Sequence, residues 1–261
     1  MTQAVLFDLF GTLVHFSAEV TSLEAGQERW RRAMRWLAEA VAEQLPGCPF
    51  ESFLEALSAT TREIVGSRAP DYWEVPSVER FRRALRRLGV EGPRQQVIAH
   101  ELAETHMAHL VSGTAVDPCA SAVLSELRRR GYRLGLVSNF DHAPAAYRTL
   151  ERHGLRSAFD AVVISAAFGR RKPHPSIFLS ALQSLGAKAE DSWFVGDTYE
   201  EDIVGALAAG IRALWLHPEP DPSTRAREGS DASSPTVRTV SGLQAVPACI
   251  EAEQTLATTP R

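Results

Sequence analysis

Four apolar runs of this chain end on polar or acidic groups: Asp8 with Thr12, Ser138-Asn139, Ser165, and Asp197 with Asp202. A lysine, Lys172, stands in the basic stretch Gly169-Arg170-Arg171-Lys172-Pro173. Gathered in one place, these side chains would join carboxylates, an ammonium and short hydroxyl or amide donors, the groups used for nucleophilic attack and for holding developing charge. Singly, each has a plainer reading. Ser, Thr and Asn satisfy nearby backbone groups in turns and caps. Asp202 could N-cap a helix starting at Ile203, and Glu200 and Glu201 read as solvated first-turn acids favoured by the helix dipole. Lys172 stands apart: of 28 Lys+Arg residues, 26 are Arg and only Lys172 and Lys188 are Lys. An ammonium is a compact point charge and a guanidinium a planar fork, so a lysine kept in an arginine-rich chain points to a tight site. Lys188 reads as a surface residue.

The elements that must carry these groups follow from apolar patterning. Ala4–Phe7, Arg133–Val137, Ala161–Ile164, Trp193–Val195 and Ala213–Leu216 are short apolar runs of the kind that form buried parallel strands. Between them, Ser121–Arg130, His142–His153, Pro175–Leu185 and Ile203–Ala209 are helical patterns followed by Gly. The alternation predicts an α/β, doubly wound parallel sheet, with the polar groups meeting at the carboxyl edge of the strands. Residues 17–113 break it. Glu24–Leu45, Pro49–Val65, Val78–Leu88 and Gln95–Val111 are amphipathic helices, with Trp30, Met34, Leu37, Val41 and Leu45 at helical spacing in the first. The expected organisation is a core of 1–16 and 114–261 interrupted by an all-helical unit over the carboxyl end of strand one. Within the core, 219–236 reads as a mobile loop and 237–261 as a C-terminal strand and helix.

Composition narrows the class. The 261 residues carry 28 Lys+Arg against 32 Asp+Glu, a net charge of −4, and 44% are hydrophobic. That is ample for a core and excludes a wholly disordered chain. The mild acidity argues against a nucleic-acid partner. No apolar run reaches the roughly 20 residues of a membrane span, and MTQAVLFDLF lacks the basic segment of a signal peptide. Cys48, Cys119 and Cys249 are odd in number and far apart, which fits reduced thiols. A cytoplasmic protein with a small-molecule substrate and no membrane partner is expected; oligomeric state is not encoded in any motif.

Four segments together carry a resemblance. F-D-L-F-G-T-L (7–13), L-V-S-N-F-D (136–141), R-K-P-H-P-S-I-F (171–178) and V-G-D-T-Y-E-E-D (195–202) resemble, in order, the four motifs of the haloacid dehalogenase-like hydrolases. The resemblance covers 1–16 and 114–216, and the helical insert occupies the place of that family's C1 cap on a Rossmann-like core. It implies Asp8 as the nucleophile of an aspartyl intermediate, and Thr12, Ser138 and Asn139 as donors to the transferring group. Lys172 would neutralise the nucleophile and phosphoryl oxygens. Asp8, Asp197 and the carbonyl of Phe10 would hold Mg²⁺, with Asp202 ligating it or steadying its ligands.

One position departs from the pattern. Family phosphatases carry a second Asp two residues after the nucleophile as general acid, and here that residue is Phe10. Three readings follow: a phosphatase for small phosphorylated metabolites with good leaving groups, an L-2-haloacid dehalogenase-type hydrolase, or a non-catalytic ligand-binding member. The acidic fourth motif favours the first, because carbon–halogen displacement requires no metal. Trp30, Arg31, Arg35, Tyr72, Trp73, His106 and His109 are candidates for contacting substrate from the cap, and His15 is the candidate substitute acid.

Overall fold

The first apolar run forms β1 (Ala4–Phe7), buried at every position. A tight loop leads to β2 (Val14–Phe16), and the helical insert follows: a 3₁₀ turn (Arg35–Leu37), α1 (Ala38–Gln44), α2 (Phe50–Gly66), α3 (Ser77–Arg87) and α4 (Pro93–Ser112). β3 (Thr114–Val116) brings the chain back by pairing antiparallel with β2. The core then runs α5 (Ala120–Arg129), β4 (Arg133–Ser138), α6 (Ala143–Arg152), β5 (Ala161–Ile164), α7 (Ser165–Phe168) and α8 (Pro175–Leu185). It continues with β6 (Ser192–Gly196), a π-helical turn (Tyr199–Val204), α9 (Gly205–Ala208), β7 (Arg212–Leu216), β8 (Val237–Val240) and α10 (Val246–Thr258). This computed structural model describes residues 3–16, 34–217 and 237–258. Trp30 and Arg31, the start of the first insert helix and the 219–236 loop lie outside the described residues.

Six strands form one parallel sheet in the order β5-β4-β1-β6-β7-β8. Because strand side chains alternate between faces, β1 feeds two layers. Val5 and Phe7 pack with Leu124 and Leu127 of α5, Leu150 of α6 and Ile250 of α10. Ala4 and Leu6 pack on the opposite face with Ile177 and Phe178 of α8 and Ala206 of α9. The insert has its own core, in which Leu37, Val41, Phe53, Leu57, Phe81, Leu85, Ile98 and Leu102 meet. No helix among the described residues is long and apolar enough to cross a membrane.

Two local features differ from the sequence reading. The β2–β3 ribbon is new: three residues per strand are too few to show an alternation. The helix expected at Ile203–Ala209 begins earlier, as the π-helical turn from Tyr199. Asp202 is therefore inside that turn rather than its N-cap. A wide turn at this point re-aims a side chain that an α-helical turn would direct elsewhere.

Candidate active site

Asp8 leaves the end of β1 still tied to the sheet, its N–H donating to the carbonyl of Val195 at 2.9 Å. Its carboxylate thus stands between the carboxyl ends of β1 and β6. Lys172 reaches it from the loop before α8, with Nζ donating to Asp8 Oδ1 at 2.5 Å and to Asp202 Oδ1 at 2.6 Å. The second Asp202 oxygen accepts the N–H of Thr198 at 2.9 Å, which fixes the π-helical turn to the strand end. Gly196 makes this approach possible, since a β-carbon there would lie 2.4 Å from Asp202 Cγ.

Gly11 does the same for the neighbouring carboxylate. It has φ +97°, and a β-carbon on it would lie 2.3 Å from Asp197 Oδ2. Thr12 then donates from Oγ1 to Asp197 Oδ1 at 3.3 Å, and Trp215 Nε1 donates to the Asp197 carbonyl at 2.8 Å. Gly11→Ala should therefore destabilise the fold by at least about 1–2 kcal/mol from the positive φ alone, before any displacement of Asp197. Thermal unfolding of the variant checks this; a midpoint equal to wild type would refute it.

One ammonium serves three acids. Asp8, Asp197 and Asp202 offer carboxylate oxygens that all lie within 4.8 Å of one another. Burial pushes Asp8 up to about 8, against the pull of Lys172 and with further upward push from Asp202 and Asp197. Burial and Asp202 raise Asp197 as well. Lys172 is held charged: Asp202 and Asp8 raise it despite its burial. Three oxygen-ligand acids with one cation leave negative charge uncompensated in a buried space, a donor set suited to a hard divalent cation.

The expected donors divide. Ser138 is fully buried and its hydroxyl has no hydrogen-bond partner among the described residues, so it is free for a ligand. Asn139 is engaged by the protein. Its Oδ1 accepts the N–H of Lys172 at 2.8 Å, and its Nδ2 donates to the Lys172 carbonyl at 3.0 Å and to Glu201 Oε2 at 2.8 Å. Glu201, read from sequence as a solvated acid, also accepts from Arg171 Nη2 at 3.1 Å. No sequence signal marks it, because both partners come from distant elements. Phe10 is half-buried, stacks on Phe16 (4.7 Å, 10° between planes) and packs at a tilt against Phe140 (4.6 Å, 34°).

A family model of haloacid dehalogenase-like hydrolases matches residues 2–210. The chain belongs to that family. This hydrolase is 33% identical over 216 residues to a glyceraldehyde 3-phosphate phosphatase of Methanopyrus kandleri, covering 81% of the chain and 82% of the relative. It is 36% identical over 218 residues to a phosphoserine phosphatase of Thermus thermophilus, covering 79% and 84%. Among solved structures, a 2-haloacid dehalogenase from Pseudomonas syringae pv. Tomato DC3000 superimposes with a TM-score of 0.68 at 25% identity, over 97% of this chain and all of that one. The haloacid dehalogenase-like core, with a helical cap inserted between β1 and β4, is thus shared over 97% of the chain.

In this hydrolase the remaining sequence candidates are spread out. His106 and His109 both stack on Trp36, at 5.3 Å and 4.2 Å between centroids, and belong to the packing of the cap. Arg35 is exposed. Tyr72 and Trp73 lie against the Lys172 loop, with Arg170 4.3 Å above the exposed Trp73 ring. His15 is on the exposed side of β2, where Nε2 lies 3.7 Å from Asp117 Oδ2. Among the described residues its ionic partner is therefore Asp117, outside the carboxylate cluster. Ser165 is fully buried and donates to Glu74, an acid of the cap that no sequence motif marks.

Proposed function

We propose that this haloacid dehalogenase-like hydrolase is a Mg²⁺-dependent phosphatase acting on a small phosphorylated metabolite with a good leaving group. The observation that carries the reading is the buried cluster of Asp8, Asp197 and Asp202 around a single ammonium. Halide displacement and hydrolysis of the resulting ester call for one nucleophile and one base but no metal, whereas phosphoryl transfer needs a counter-charge for nucleophile and phosphate together. The two curated relatives above are both named for small phosphorylated metabolites, which supports a substrate of that size and charge; both compounds are alkyl phosphates, so the good leaving group rests on Phe10 alone.

In this reading the core comprises 1–16 and 114–261, and the cap 17–113. Asp8 attacks phosphorus; the bond to the leaving oxygen breaks, and water then releases phosphate from the aspartyl phosphate. Lys172 holds the attacking carboxylate and faces the phosphoryl oxygens. Thr12 steadies Asp197, the free hydroxyl of Ser138 donates to the transferring group, and Asn139 holds the Lys172 backbone. Mg²⁺ would be held by Asp8, Asp197 and the Phe10 carbonyl, with Asp202 beside them; when bound it offsets the repulsion between carboxylates and phosphate. Phe10 has no proton to give, so the leaving group must depart as a stable anion.

A second reading has two observations in its favour. Halide leaves without needing the proton that Phe10 cannot give, and the structural likeness to a 2-haloacid dehalogenase covers 97% of the chain. Two assays separate them. Hydrolysis of p-nitrophenyl phosphate should proceed with Mg²⁺ and fall to background with chelator, and L-2-chloropropionate should release no chloride. Metal-independent chloride release without phosphatase activity would overturn the phosphatase reading.

A further inference from the structure

A carboxylate from the helical cap is buried at the edge of the active site. Glu74 lies in the loop between α2 and α3, with its side chain 1% exposed. It accepts from Ser165 Oγ at 2.6 Å, and Arg171 Nη1 lies 3.2 Å from Oε2 and 3.3 Å from Oε1. Around it the backbones join as well: Glu74 N–H donates to the Gly169 carbonyl at 3.0 Å, and Arg171 N–H to the Tyr72 carbonyl at 2.9 Å. Burying a carboxylate is costly unless it is paired and hydrogen-bonded. Both of its side-chain hydrogen-bond partners are core residues, while Arg68 of the cap adds only a charge interaction, so docking supplies the hydrogen bonds that offset its burial.

The contacts continue inward. Arg171 bonds Glu201, Glu201 bonds Asn139, and Asn139 brackets the backbone of Lys172 on both sides. Ser165 Oγ also accepts the N–H of Phe140 at 2.9 Å. Glu74 is therefore bonded directly to the loop bearing Arg171-Lys172, and reaches the loop bearing Ser138-Asn139 through Ser165. The other ionic contacts between cap and core have a different reach. Arg80 meets Asp141 at 3.1 Å, in the loop that bears Asn139, whereas Glu104 meets His142 at 2.9 Å and Arg148 at 3.2 Å and, among the described residues, has no contact with the Lys172 loop.

We propose that Glu74 is a positioning residue for Lys172, tying the placement of the catalytic ammonium to docking of the cap. This rests on Lys172 acting as assigned above. Lys172 Nζ bridges two carboxylates at 2.5 and 2.6 Å, a geometry that a small shift of its loop would break. With Glu74 docked, Arg171 is held between Glu74 and Glu201, and the Lys172 backbone between Asn139 contacts. With the cap lifted, Arg171 loses the buried half of its partners and the loop loosens. The site is thus complete only beneath a docked cap, which keeps the nucleophile from reacting while the substrate is open to water.

The test compares Glu74→Gln with Glu104→Gln, which removes a cap–core contact that does not lead to Lys172. On p-nitrophenyl phosphate with Mg²⁺, Glu74→Gln should lower kcat by about tenfold or more, with KM changed by less than about threefold; Glu104→Gln should leave both at wild-type values. An unchanged kcat in Glu74→Gln, or an equal fall in both variants, overturns the proposal. Should Glu74→Gln be too unstable to assay, Glu74→Asp, which keeps the charge but draws the carboxylate back from Ser165 and Arg171, is read in the same way. A wild-type protein that does not turn over the ester refutes the phosphatase reading, and the positioning role is then read by amide hydrogen exchange. Exchange at 138–141 and 171–172 should be faster in Glu74→Gln than in Glu104→Gln; equal rates would sink it.

Discussion

Asp8→Asn should reduce turnover by about 10⁴-fold or more while leaving the metal-free protein at least as stable as wild type. The two effects have separate causes. Turnover fails because the amide oxygen is a poor nucleophile and can form no aspartyl intermediate. Stability holds because that oxygen can still accept from Lys172, while the cost of ionising a buried carboxyl beside Asp197 and Asp202 is gone. The same crowding gives the wild type a pH dependence of definite sign. Asp8 has a folded value of about 8 against an ordinary 3.8, so between those limits the folded state keeps a proton that the unfolded chain has lost. The unfolded state then binds fewer protons, and stability falls as pH rises through that window. Thermal unfolding in chelator should show this fall for wild type and a flatter profile for Asp8→Asn. Retained turnover in a folded Asn variant, or identical profiles, would contradict the assignment.

Phe10→Asp should act in the opposite direction. Supplying the missing proton donor should raise kcat on an alkyl phosphate by up to about 10²–10⁴-fold, with little gain on p-nitrophenyl phosphate, whose leaving group needs no proton. The cost is structural. Phe10 packs against the rings of Phe16 and Phe140, and two ring contacts at about 0.5–1.5 kcal/mol each make the change destabilising by about 1–3 kcal/mol. Phe10→Ala isolates the two terms, since it removes the ring without adding an acid. The Asp variant should exceed the Ala variant in alkyl phosphatase activity at a similar thermal midpoint. Equal activity in the two variants would mean that the leaving group is protonated from elsewhere, or not at all.

The sheet and its active edge were readable because a doubly covered parallel strand writes itself as an apolar run, and its end is where the run stops. Asp8, Ser138 and Asp197 could be placed at one edge for that reason alone, and Lys172 stood out against an arginine background. What could not be read was the commitment of side chains once there. Asn139 reads as a donor in any strand-end loop; that its amide is spent on Lys172 and Glu201 follows from a neighbour 33 residues away. Glu201 and Glu74 are ordinary acids by sequence, one in a helix first turn and one in a loop. Their burial depends on arginine and serine partners brought up by other elements, and no local pattern records that. The β2–β3 ribbon was lost for a simpler reason, its strands being shorter than one alternation can reveal.

That ribbon has a consequence for how the molecule is assembled. Val14 faces Val116 and Phe16 faces Thr114, so the chain enters and leaves the helical insert through one hydrogen-bonded pair. The two passages are held side by side regardless of what lies between them. Loop-closure entropy grows only slowly with the length of an intervening segment, and here the closure is made locally by the ribbon. The insert is in this sense a module with a single socket: its length and sequence can change without altering the register of the sheet. Such an arrangement lets one catalytic edge be fitted with different lids, provided each keeps an acid where Glu74 meets Ser165 and Arg171.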